Sequence, residues 1–184
     1  MRPSLITVLT IGHSTKPLEA FAALLKSHSV VRLVDVRKMP RSRHNPQFNG
    51  DALATSLASY GIGYVHFPGL GGLRRTKANS SNTGWRNASF RAYADYMQTA
   101  EFTDNLEKLV AMAKHEQVAL MCAEAVPWRC HRSLIADALL VRNINVEEIL
   151  SHTRCEPHQL TPFARVAGTS ISYPPMEPAQ QELF

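Results

Sequence analysis

Apolar residues along this chain fall into two alternating rhythms. The run LITVLTI, residues 5–11, is rich in β-branched and aliphatic side chains and is stopped by Gly12. It is followed by apolar positions at Leu18, Phe21, Leu24 and Leu25, the spacing of one helix face. The alternation then recurs. Residues 30–36 have a strand pattern and 51–60 a helical one; 64–67 form a short strand pattern; 90–116 are helical with a break near 99–103. Residues 118–122 are a further apolar strand, 131–143 a helix with Leu134, Ile135, Ala138 and Leu139 facing inward, and 146–150 a last strand. Strands and helices in this order predict an α/β fold: a single three-layer domain with a mainly parallel sheet of about five strands and helices on both faces.

After Ser151 the composition shifts to Pro, His, Thr and Ser, and Pro157, Pro162, Pro174, Pro175 and Pro178 preclude long regular elements. The expected division is an α/β domain over residues 1–163 and a Pro-rich tail over 164–184, packed in part against the domain.

With 184 residues and 45% hydrophobic side chains the chain can bury one sizeable core. Its apolar runs are too short for a membrane span, and the first residues lack the basic start, apolar core and cleavage site of a signal peptide, so a cytoplasmic protein is expected. The three cysteines, Cys122, Cys130 and Cys155, do not resemble a disulfide framework and are expected to be reduced.

The net charge of +5 is concentrated in one region. Between Arg37 and Arg86 stand Arg37, Lys38, Arg41, Arg43, Arg74, Arg75, Lys77 and Arg86 against one acid, Asp51. Basic loops of this kind suit a nucleic acid, a nucleotide or another phosphate-bearing ligand; the alternative is a merely solvated face.

In open α/β sheets ligands bind beyond the carboxyl ends of the strands. The predicted strands end in Gly12, His13 and Ser14; in Asp35 and Arg37, with Arg43 and Asn45 in the loop beyond; in Gly69-Leu-Gly-Gly72; in Cys122, Glu124 and the segment to Arg132; and in His152. Plainer readings stand beside these. Ser14 or Thr15 could cap the first helix, and Asp35 with Arg37 could be a structural ion pair. Residues 69–72 have neither a P-loop ending nor Rossmann spacing.

The segment CAEAVPWRCHR, residues 122–132, places Cys130, His131 and Arg132 at the start of a helix, where unpaired backbone N–H groups favour anions and thiolates. On this reading Glu124 is the acid, base or nucleophile and His13 or His131 moves a proton. Ser14, Asp35, Arg37, Arg43, Asn45, Trp128, Cys130 and Arg132 contact the substrate. Cys122, ending an apolar strand, reads as a small buried hydrophobe. Zinc on Cys122, Cys130 and His131, completed by Cys155 or His152, fits no standard ligand spacing, and adjacent residues rarely point at one ion. No metal and no cofactor are therefore expected.

The segments TIGHS, LVDVRKMPRSRHNPQF, YVHFPGLGG, CAEAVPWRCHRSLIAD and HQLTPF together resemble the domain-of-unknown-function family DUF488, a bacterial and archaeal group, over roughly residues 5–163. The resemblance implies a compact α/β domain, and its pattern falls on Gly12, His13, Ser14, Asp35, Arg37, Pro40, Ser42, Cys122, Glu124, Cys130, His131 and Arg132. It implies no particular reaction. The last five residues, QQELF, are similar to the pentapeptide by which bacterial repair and replication proteins dock on the sliding clamp, with Gln180, Leu183 and Phe184 as anchors and Gln181 where that motif carries Leu.

The function expected is an enzyme acting on nucleic acid or a nucleotide by glycosidic or phosphoester hydrolysis, linked to DNA repair. One alternative is a non-catalytic nucleotide-binding or clamp-recruited module. Another is a thiol enzyme using Cys130, although six residues separate Cys122 from Arg129 where a phosphatase loop has five.

Overall fold

The computed structural model of the chain describes residues 6–175. Its elements run β1 (Thr7–Gly12), α1 (Leu18–Ser27), β2 (Arg32–Asp35), α2 (Gly50–Ser59), β3 (Gly63–His66), α3 (Ala88–Met97), α4 (Ala100–Ala113), β4 (Val118–Cys122), α5 (Arg132–Leu140) and β5 (Asn145–Ile149). Three short strands follow: β6 (Cys155–Pro157), β7 (Arg165–Ala167) and β8 (Ser170–Ser172). The main sheet has the order β3-β2-β4-β1-β5-β6, parallel throughout except for β6, and β7 and β8 form a separate hairpin.

Both faces of the sheet are covered, which is why the central strands are apolar at nearly every position. Leu9, Ile11, Leu33, Ala119 and Met121 pack with Phe21, Leu25, Leu53 and Leu57 of α1 and α2. Val8, Val34, Val118, Leu120 and Val146 pack on the opposite face with side chains of α3, α4 and α5. The division follows from crossover handedness. Connections from β1 and β2 step one way along the sheet and those from β3 and β4 step the other, so right-handed crossovers place their helices on opposite faces. The carboxyl end of β4 lies between the ends of β1 and β2 and so sits where the chain divides.

Local chemistry sets the boundaries. The long helical pattern divides because the Thr99 hydroxyl accepts from the Phe102 N–H at 3.3 Å, capping α4, while Asn87 Oδ1 accepts from the Ser89 N–H at 2.8 Å and caps α3. The first helix has no such cap: Pro17 precedes it, and neither Ser14 nor Thr15 acts as one. Beyond α5 the chain leaves the helix through Asn143 in the left-handed region, φ 60°, with the Ile144 N–H returning to the Leu139 carbonyl.

Residues of the Pro-rich stretch take part in the fold. Pro157 ends the edge strand β6, where a missing N–H is harmless. The hairpin brings Ile171 and Tyr173 into the core. The buried Tyr173 hydroxyl donates to Asp137 of α5 at 2.8 Å, and Tyr173 N–H donates to Asn82 at 2.8 Å. Packing against the α/β layers therefore continues past residue 163. The clamp-like peptide with Gln180, Leu183 and Phe184 lies outside the described residues. Among the described residues no helix is long and apolar enough to cross a membrane.

Candidate functional site

The loops after β1 and β4 are joined backbone to backbone. The His13 N–H donates to the Cys122 carbonyl at 3.0 Å and the Ser14 N–H to the Ala123 carbonyl at 2.9 Å, extending the β1–β4 ladder beyond both strands. Ser14 pays for this register with a left-handed backbone, φ 48°. Gly12 is dictated by the same approach, since a Cβ there would collide with the Glu124 carbonyl.

Asp35, Arg37 and His13 form a closed brace under this rim. Both Asp35 oxygens accept from the Arg37 guanidinium, the shortest contact being 2.6 Å from Nη2, and Oδ2 also accepts from the Tyr64 hydroxyl at 2.8 Å. Arg37 Nη2 reaches the Phe48 carbonyl at 2.7 Å and Nη1 lies 3.3 Å from His13 Nε2. His13, only 2% exposed, stacks on Phe48 at 4.2 Å and directs Nδ1 to the Ser14 carbonyl at 2.8 Å. Burial, reinforced by the Arg37 charge, lowers its pKa to about 4. It is thus neutral, donating from Nδ1 and accepting at Nε2. Burial, then the Asp35 charge, pushes the Tyr64 hydroxyl up. The pairing of Asp35 with Arg37 fits the plain structural reading, because neither group has a free edge toward a ligand. His13 is likewise enclosed, which does not suit the proton-transfer role expected of it.

At the start of α5 the arrangement also departs from the expected anion grip. Arg132, 1% exposed, extends Nη1 to Glu148 on β5 at 3.1 Å and to Thr10 on β1 at 3.4 Å, and Nη2 to the Glu124 carbonyl at 2.8 Å. The guanidinium is occupied by a buried carboxylate, itself hydrogen-bonded by the Thr10 hydroxyl. The site uses the main chain of Glu124 for this tie. Its exposed side chain faces a shallow hollow with Trp85, Asn87, Phe90, Trp128 and Arg129. Arg43 is exposed, and Asn45 stands before the Pro46–Phe48 turn, its carbonyl accepting from the Phe48 N–H.

Cys122, Cys130 and His131 do converge. One ligating atom from each lies within 4.8 Å of the others, and Cys130 Sγ is 3.8 Å from His131 Nδ1. Adjacent side chains meet here because Cys130 is extended (φ −127°, ψ 143°) while His131 is already helical (φ −59°, ψ −11°). That turn brings both to one side, contrary to the expectation that they point apart. His131 Nε2 lies 3.2 Å from the Val36 carbonyl. The Cys130 thiol is the more readily ionised of the pair: a hydrogen bond from Cys122 stabilises its thiolate most, and His131 and Arg132 add to it. Cys122, as donor in that bond and buried, is pushed up.

A cleft of about 510 Å³ opens between α5, β5, β6 and residues 158–163. Its lining includes Trp85, Trp128 and Phe163, the polar group Thr10, Arg132 and Glu148, and His158 and Gln159. Trp128 is 75% exposed. Of the residues singled out from the sequence, Trp128 and Arg132 line this cleft; Thr10, Trp85, Glu148 and Phe163 were missed. HQLTPF was the one available signal, and it supplies His158, Gln159 and Phe163. Thr10 and Glu148 look like ordinary strand residues until β1 and β5 are paired.

Fold and site together define a doubly wound α/β protein whose polar side chains gather at the carboxyl ends of a parallel sheet. The chain belongs to the family described as domain of unknown function DUF488, whose model matches residues 17–139, more than half its length. No curated protein and no solved structure matches it.

Proposed function

We propose that this chain binds a nucleotide, or one base of a single-stranded nucleic acid, in the cleft beside α5 and hydrolyses its glycosidic or phosphoester bond. The observation carrying the reading is a cleft lined by aromatic rings together with a carboxylate. The exposed Trp128 offers a flat apolar face for a planar ring, and Trp85 and Phe163, edge to face at 4.9 Å, line the cleft with it. Glu148 supplies an acceptor for the exocyclic or ring N–H groups that nucleobases present. A carboxylate takes about four hydrogen bonds, and Glu148 receives three, from Thr10 and Arg132, leaving room for a ligand. Arg86 and Arg129, both exposed and adjacent in sequence to the two tryptophans, suit the phosphates. Glu124, on the hollow sharing Trp85 and Trp128 with the cleft, is the group assigned to proton transfer.

The test is calorimetric titration of the full chain with mononucleotides and short single-stranded oligonucleotides, followed by product analysis with wild type and Glu124→Gln. Saturable binding that weakens with salt and is lost in Glu148→Gln, together with turnover lost in Glu124→Gln, is expected. Absence of binding at millimolar ligand would end the reading, and binding without turnover would reduce it to a binding module.

A further inference from the structure

We propose that Cys122, Cys130 and His131 form a binding site for a divalent transition metal of zinc type, with a fourth position open beside Gly72. The inference is independent of the nucleotide reading, because these residues lie toward β2 and the loop after β3, whereas the cleft lies toward β5 and β6.

The donor set is one that zinc takes. Thiolate at about 2.3 Å and imidazole nitrogen at about 2.0–2.1 Å in a tetrahedron put sulfur and nitrogen about 3.6 Å apart and two sulfurs about 3.8 Å apart. The observed Sγ to Nδ1 distance is 3.8 Å, and all three donor atoms fall within 4.8 Å of one another. Small side-chain movements would close such a set around one ion.

Two further features bear on the same atom. His131 Nε2 faces the Val36 carbonyl at 3.2 Å, and since a carbonyl only accepts, the proton sits on Nε2. Nδ1, the other ring nitrogen, is the one turned toward the thiols. A metal-bound histidine usually donates its other N–H to a backbone carbonyl or carboxylate in this manner. Space beside Nδ1 is kept by Gly72, where an added Cβ would come within 3.1 Å of that nitrogen. Gly72 is not in the left-handed region, so its lack of a side chain is not required by the backbone there.

The three ligands also come from structurally fixed positions. Cys122 ends β4, hydrogen-bonded to β1, and His131 packs against Tyr93 at 5.0 Å. Bound metal would tie the end of β4 to the start of α5 across residues 123–129, the segment that carries Glu124 and Trp128. Coordination replaces the thiol protons, which leave to solvent, and involves no change of oxidation state. Cys155 is a built-in control: it lies on the other face, with Sγ 3.4 Å from His28 Nδ1 and no second thiol in its group among the described residues.

The experiment is to strip the full chain with chelator under reducing conditions and titrate it with cobalt(II), then zinc. One cobalt per chain is expected, with a sulfur-to-cobalt charge-transfer band in the near ultraviolet and the intense visible bands of a tetrahedral site, both abolished by zinc. Cys122→Ser and Cys130→Ser should lose the charge-transfer intensity, His131→Gln and Gly72→Ala should weaken binding at least tenfold, and Cys155→Ser should behave as wild type. Wild-type protein with no sulfur-to-cobalt band overturns the proposal whatever the variants do. So does a band that persists in Cys122→Ser and Cys130→Ser or disappears in Cys155→Ser. Because Gly72→Ala removes no ligand, it tests the open position should a cysteine variant fail to fold; unchanged cobalt affinity in it overturns that assignment.

Discussion

Arg132 Nη1 lies 3.1 Å from Glu148 Oε2, and the same guanidinium holds the Glu124 carbonyl at 2.8 Å through Nη2. One buried cation thereby joins α5 to β5 and to the loop beyond β4. Removing one member of a buried pair leaves the other charge uncompensated, at a cost of about 3–5 kcal/mol. Arg132→Met is expected to lose that much in urea unfolding, and the double variant Arg132→Met/Glu148→Leu to recover most of it. A loss below about 1 kcal/mol in the single variant would mean that the pair is not a structural tie.

Gly12→Ala has a backbone target, the Glu124 carbonyl, so no side chain can rotate out of the way. A destabilisation of about 3 kcal/mol is expected, accompanied by displacement of residues 123–129. Denaturant unfolding together with amide exchange at Ala123 and Glu124 measures both.

Trp128 separates binding from stability because its ring is 75% exposed. Trp128→Ala should leave the unfolding midpoint unchanged while weakening nucleotide affinity about tenfold, the effect of losing one stacked base at 1–3 kcal/mol. Equal affinity in variant and wild type would remove Trp128 from the ligand site.

His13 makes stability depend on pH. Its folded pKa of about 4 lies below the ordinary value of 6.5, so the unfolded chain takes up the proton first. The contribution is complete above pH 6.5 and is lost as pH falls from there toward 4. Arg37, Asp35 and Lys16 are the charged groups that act on this ring. The total is roughly 3 kcal/mol across the window from 6.5 to about 4, at 1.36 kcal/mol per pH unit. Urea unfolding between pH 7 and pH 4 should show a shallower decline in His13→Gln than in wild type.

Tyr173 tests where the folded domain ends. Tyr173→Ala removes a fully buried ring from the core and is expected to cost about 3–5 kcal/mol. Tyr173→Phe keeps the ring and loses only the hydrogen bond to Asp137, for about 1 kcal/mol. If Tyr173→Ala unfolds at the wild-type midpoint, residues beyond 163 do not contribute to the domain.

The layered architecture is legible in the sequence, since Leu18, Phe21, Leu24 and Leu25 can share a face only on a helix and the run from Val118 to Met121 suits a strand covered on both sides. The edge strand β6 and the hairpin are not. Each of their strands has three residues, too few for a period to register, and prolines in the same region weighed against regular structure. The rim itself was legible too, because strand ends are local features and their polar residues can be counted along the chain.

What the sequence by itself determined was the alternation of strand and helix, the basic loops between Arg37 and Arg86, and the clustering of reactive side chains at strand ends. Tertiary structure alone decided which of those side chains remain available. Arg132 and Arg37 look identical as sequence, yet partners 16 residues away, Glu148, and two residues away, Asp35, occupy both. Cys130 and His131, which adjacency seemed to separate, meet over Cys122 because the chain turns into α5 between them. The physical reason is that periodicity and composition are properties of neighbours along the chain. Partnership, burial and the hydrogen bonds that commit a charged group depend on which strands lie side by side, and the order β3-β2-β4-β1-β5-β6 cannot be read from any one segment.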